Sequence, residues 1–208
     1  MALYKTITVN KNTKVLIWKI EESLEELSSG ISLEIQSAER LESMRSEIHQ
    51  KGFLSIRHLL KNVGYTDADL FYDQYGKPHL HDGNHISITH SFTFTAVIIS
   101  QDSPVGIDIE KQRDKIVKIA HKFTPFEEYK TIANHDALVS KLTIVWGGKE
   151  SLYKIYGKKK LLFLHHIYIE DFKFADTKTT GQIRYEGMVS NHSIHFLEFE
   201  GFTCVYAF

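Results

Sequence analysis

An α+β fold is predicted by three observations along this chain. Apolar residues recur at helical spacing over 41–63 and again over 138–156. Elsewhere the period drops to two, between turn residues such as Gly76, Pro78 and Gly83. The order of elements then repeats loosely, each half placing helices before antiparallel strands, around a break at Gln101-Asp102-Ser103-Pro104. The repeat is one of order and not of letters. It divides the chain into an N-terminal half, 1–103, and a C-terminal half, 104–208.

The first residues alternate weakly and read as strand through Val15-Leu16-Ile17-Trp18. Ile20 to Ser28 reads as a short acidic helix stopped by Gly30. Leu41, Met44, Ile48, Phe53, Ile56, Leu59, Leu60 and Val63 form one helical stripe, with Gly64 as a left-handed cap. Strands follow from Phe71 to Ser100, turning at Tyr75-Gly76-Lys77-Pro78 and Asp82-Gly83-Asn84. In the second half, Thr124-Pro125-Phe126-Glu127 combines an N-cap, a proline at the first helical position and a capping-box glutamate, so a helix is expected to start there. Leu138, Leu142, Val145, Trp146, Leu152, Tyr153 and Tyr156 mark a long amphipathic helix. Strands are expected at 161–169, 181–187, 193–200 and 202–208.

With 42% hydrophobic residues in 208, the chain can bury a full core. A formal charge of -1 projects no field toward nucleic acid or membrane, so any basic site is local. The lone Cys204 cannot form an internal disulfide. Met1-Ala2-Leu3-Tyr4-Lys5-Thr6 has no apolar core of signal-peptide length, and no stretch is long enough to span a bilayer. The expectation is a soluble cytoplasmic protein. Asn191-His192-Ser193 matches the glycosylation pattern and reads as a hairpin turn.

Two acidic segments carry the chemical interest. In Val105-Gly106-Ile107-Asp108-Ile109-Glu110 a period of two puts Asp108 and Glu110 on one strand face. Carboxylates so placed lie roughly 7 Å apart and repel by about 2 kcal/mol at an effective dielectric near 20. A magnesium ion would reverse that penalty, and magnesium favours a few carboxylates plus phosphate oxygens. Alone, the two acids also fit a solvated strand edge. The second segment, Trp146-Gly147-Gly148-Lys149-Glu150-Ser151-Leu152-Tyr153-Lys154, lies in the long helix. Glu150 and Lys154 share a face there and also fit a simple ion pair. Two glycines inside a helix cost about 1 kcal/mol each against alanine, and imply close approach of a strand or ligand, or a kink. His79, His81, His85 and His90 could suggest a zinc hydrolase, but no metal-binding pattern accompanies them. Lys158-Lys159-Lys160 fits a solvated face or an anion contact.

Taken in order, GKP at 76–78, ITHS at 88–91, GIDIE at 106–110, FTPFEEY at 123–129 and WGGKESLYK at 146–154 resemble the 4'-phosphopantetheinyl transferases of the surfactin-synthetase-activating type. The resemblance implies two similar α+β halves related by a pseudo-two-fold, with the active site in the cleft between them. It implies transfer of the phosphopantetheine arm of coenzyme A to a serine of an apo acyl or peptidyl carrier protein, releasing adenosine 3',5'-bisphosphate. Carried over by residue, Asp108, Glu110 and Glu150 hold Mg2+, with Glu150 the candidate proton acceptor. Lys154 faces the pyrophosphate, Thr89 and His90 the 3'-phosphate end, and Lys77 and Pro78 the adenine and its phosphates. Lys51 and Arg57 are further phosphate candidates. Threonine stands at 89 where the family has serine, and glycine at 147 where it has a small polar residue or cysteine. A single-chain pseudo-dimer implies a monomer. The alternative is a non-catalytic module of the same fold that holds coenzyme A or a carrier protein.

Overall fold

The computed structural model of the chain describes residues 3–173 and 175–208. The reading of the first six residues as free of a leader falls in part on Met1 and Ala2, outside that range. The chain forms two compact units, Met1–Ser103 and Pro104–Phe208.

In the first unit, β1 (Leu3–Asn10) and β2 (Thr13–Lys19) form a hairpin. Three helices follow: α1 (Leu24–Ser28), α2 (Ile35–Ser43) and α3 (Glu47–Lys61). A ribbon of β3 (Leu70–Tyr72) and β4 (Pro78–Leu80) leads to β5 (His85–Ser91) and β6 (Phe94–Ser100). The antiparallel sheet has the order β1-β2-β6-β5. Against one face lie Phe53, Leu54, Ile56, Leu59 and Leu60 of α3, in a core with Leu16, Trp18, Ile86 and Val97. The stripe expected as one helix is two, because Met44, Arg45 and Ser46 leave helical geometry between α2 and α3. The first helix begins at Leu24, where Ser23 and Glu26 form a capping box. Gly64 does adopt the left-handed conformation, with φ of 88°, and Tyr65 N–H closes onto Leu60 O at 3.0 Å.

The second unit opens on β7 (Gly106–Lys111), then α4 (Lys115–Ile119), two 3-10 turns at Ala120–Lys122 and Phe126–Glu128, and α5 (His135–Tyr156). After α6 (Phe163–His166) come β8 (Ile167–Ile169), β9 (Lys178–Tyr185), β10 (Met188–Phe199) and β11 (Phe202–Ala207). The antiparallel order is β7-β11-β10-β9-β8, with Asp108 opposite Val205 and Glu110 opposite Thr203. Leu142, Val145 and Leu152 of α5 pack on Ile169, Ile194, Val205 and Ala207 of the sheet.

Three local expectations are corrected. No helix starts at Thr124-Pro125: Phe126–Glu128 is a single 3-10 turn, and α5 begins ten residues later behind Asn134, whose side chain accepts Ala137 N–H at 2.9 Å. The reason lies in Thr124 Oγ1, which donates to the buried Glu128 carboxylate (3.1 Å). Residues 161–169 begin as α6 and become strand only at Ile167. Asn191-His192-Ser193 lies inside β10, the turn being at Glu186-Gly187. Among the described residues no helix is long and apolar enough to cross a membrane.

Candidate functional site

The glycines of the two acidic segments let α5 lie directly on β7 and β11. A methyl group on Gly106 would stand 1.9 Å from the Ser151 carbonyl oxygen, and one on Gly147 2.7 Å from Val205 Cγ2. The doubled glycine therefore marks a strand approach, and α5 runs through it unbroken. The same contact brings the two acidic segments together. Lys154 Nζ donates to Asp108 Oδ1 at 2.9 Å and to Ile107 O at 2.7 Å, so its ammonium reaches across to the strand. Asp108 is buried, and Glu110 and Glu150 are half-buried.

Burial, with Asp108 adding repulsion, pushes the Glu150 carboxyl up to about 7; Lys154 opposes the rise and Glu110 adds to it. Glu110 is also raised, first by burial and then by Asp108, while a hydrogen bond from the Trp146 side chain, Arg113 and Lys154 act against the shift. The three carboxylates thus share one field, balanced in part by one lysine. As they stand they form no ready cage: among the described residues no group of three His, Cys, Asp or Glu side chains is placed to hold a metal ion. The donor chemistry does fit a hard divalent cation, since three mutually repelling oxygen donors are what magnesium takes alongside phosphate oxygens.

Beside this cluster is a buried ion pair that the sequence reading left unassigned. Lys149 and Glu128 are 0% and 1% exposed, yet they face each other at 2.9 Å. Burial pulls the Lys149 ammonium below its ordinary range and lifts the Glu128 carboxyl above its own, and each partner opposes the other's shift.

In the first unit a pocket of about 310 Å³ is lined by Arg40, His49, Gly52, Arg57, Tyr72 and His90, among others. His90 is exposed on β5, and its ring stands edge-on to His49 at 5.7 Å. Arg40 lies over the Tyr72 ring at 5.0 Å. Thr89 is buried, and strand alternation sends it to the face opposite His90. Arg57 lines the pocket but is committed elsewhere: it is 4% exposed, bonded to Asp67 at 2.8 Å and stacked 3.4 Å over Phe53. It reads as a structural clamp. Lys51 pairs with Glu47 at 2.9 Å along the helix. Lys77 follows the Asp73–Gly76 turn, its backbone N–H donating to Asp73 Oδ1 at 3.0 Å; burial lowers the affinity of its ammonium for a proton and Asp73 partly restores it. Pro78 opens β4. Arg40 and His49 were missed because nothing local separates them from solvated helix residues.

Residues 104–206 match the model of the 4'-phosphopantetheinyl transferase superfamily. The chain belongs to that superfamily through its second half. The 4'-phosphopantetheinyl transferase gsp of Aneurinibacillus migulanus is 30% identical over 151 residues, which is 69% of this chain and 63% of that protein. A 4'-phosphopantetheinyl transferase of Bacillus subtilis is 32% identical over 59% of this chain and 60% of its own length. The 4'-phosphopantetheinyl transferase Sfp of Bacillus subtilis (strain 168) is 35% identical over 45% of this chain and 43% of its own. The chain thus covers less than two thirds of these relatives. The superfamily match contains Asp108, Glu110, Glu128, Lys149, Glu150 and Lys154, and excludes the pocket around His90.

Proposed function

We propose that the chain transfers 4'-phosphopantetheine from coenzyme A to a serine of an apo acyl or peptidyl carrier protein and releases adenosine 3',5'-bisphosphate. The observation that carries this is the joining of β7 and α5, which sets Lys154 on Asp108 and couples Glu150 to Asp108 and Glu110. The superfamily match supports it.

Asp108, Glu110 and Glu150 would hold Mg2+, which when bound would neutralise pyrophosphate charge. The serine oxygen attacks the phosphorus that bears the pantetheine arm. A new P–O bond forms, the pyrophosphate bridge breaks, and its electron pair leaves with adenosine 3',5'-bisphosphate. Lys154 offsets the charge that builds on the departing oxygens. Glu150 takes the serine proton, a role that suits a carboxyl whose proton affinity burial has brought near neutrality. In the first unit, His90 with Arg40 and His49, which line one pocket, would meet the 3'-phosphate end, and Lys77 and Pro78, outside that lining, would meet the adenine side. Thr89, expected to share the 3'-phosphate contact, is buried on the other face of β5 and does not line that pocket, so it is not carried into this scheme.

Mixing the protein, magnesium, coenzyme A and an apo carrier, then weighing the carrier, tests the reading. A mass gain of one phosphopantetheine group is expected. Glu150→Gln should lower transfer at least about a hundredfold while coenzyme A binding stays within about threefold. Equal single-turnover rates would remove Glu150 from the mechanism. The alternative reading is a module that binds coenzyme A without transfer. It predicts binding with no carrier mass gain under any magnesium concentration.

A further inference from the structure

At Gly147 and Gly148 α5 has no side chain to interlock with Val205 and Ile169, while Leu142, Val145 and Leu152 pack on the sheet to either side. A polar restraint on that same turn comes from Lys149. Its ammonium donates to the Glu128 carboxylate at 2.9 Å, to Phe163 O at 3.0 Å and to Ile167 O at 2.6 Å. All three donors of the ammonium are thereby bound to oxygens from three segments: the 3-10 turn, α6 and β8. Glu128 is fixed in turn by Thr124 Oγ1.

We propose that the Lys149–Glu128 pair is a positioning device for the transfer site, setting the rotation of α5 and so holding Glu150 and Lys154 against β7. This rests on the transferase reading above. Glu150 is the next residue on the same rigid helix. A rotation of 20° would move a side-chain tip by roughly 2 Å, and displacements of about 1 Å at a reacting group can cost a hundredfold in rate. The pair touches neither substrate nor reacting atoms in this scheme; it acts through its helix.

The test uses Glu128→Gln with Lys149→Met, since Lys149→Met alone strands a buried carboxylate. The chain's two tryptophans serve as reporters. Trp146 hydrogen-bonds Glu110 across the contact between α5 and β7, and Trp18 lies in the core of the first unit. In the double variant the Trp18 indole N–H resonance should stay in place while that of Trp146 moves. The kcat should fall about a hundredfold with KM for coenzyme A within about threefold. An unmoved Trp146 resonance, or a kcat within about twofold of wild type, overturns the proposal. Should the double variant not fold, Glu128→Gln alone is read by the same two measurements, with smaller changes of the same sign expected. Should the wild type transfer nothing, the transferase reading fails, and the Trp146 resonance by itself decides for or against the clamp.

Discussion

Glu150 holds its proton more tightly in the folded chain than an ordinary carboxyl does, because burial and Asp108 both penalise the anion. The sign of the linkage follows. Its contribution favours folding fully below the ordinary value of 4.5 and is lost as pH rises through about 7. Glu110 shifts in the same direction for the same reasons. Glu150→Gln removes the charge and keeps the shape, so at pH 8 it should raise Tm by about 5 °C over wild type. At pH 4 the two proteins should melt together. Thermal unfolding by circular dichroism at the two pH values checks this, and a variant less stable than wild type at pH 8 would contradict the burial account.

Helix α5 and strand β7 form the element pair on which the site depends, and glycine permits their contact. Gly147→Ala gains helix propensity of about 1 kcal/mol. It also drives a methyl to 2.7 Å from Val205 Cγ2. Overpacking of this kind costs about 1–3 kcal/mol, so the net effect should be destabilising. Val205→Ala in the same chain should return much of the loss, giving a favourable coupling in a urea double-mutant cycle. Gly106→Ala is the harsher change, because its methyl would meet the Ser151 carbonyl at 1.9 Å and a backbone oxygen cannot swing aside. It should cost more than Gly147→Ala, with no relief from Val205→Ala. Asn134 illustrates the other determinant at this scale: a cap accepting Ala137 N–H starts the helix where the chain is free to turn.

Across the whole molecule, the two units carry different chemistry. The second gathers the acids and Lys154 on β7 and α5, and the first surrounds His90 with Arg40 and His49. If the proposed division holds, His90→Ala should raise KM for coenzyme A about tenfold and leave dephospho-coenzyme A nearly unaffected. Lys154→Ala should lower kcat for both by a similar factor, about a hundredfold. Steady-state kinetics with the two donors separates the outcomes, and equal losses from His90→Ala for both would place the 3'-phosphate elsewhere.

Much of this was legible in the amino-acid order. Period-two alternation assigned Asp108 and Glu110 to one face, helical spacing marked α3 and α5, and the Gly147-Gly148 pair announced a close neighbour. These are local properties, set by backbone geometry and residue size. What only tertiary structure decided was where distant groups meet. The capping signal at Thr124-Pro125 failed because Glu128 is drawn inward to Lys149, 21 residues away in sequence. Arg57, read as a phosphate contact, is taken by Asp67 and Phe53. Lys154 turned from its helical neighbour Glu150 toward Asp108. A buried charge must find a partner wherever the fold places one, and no local period records which partner that will be.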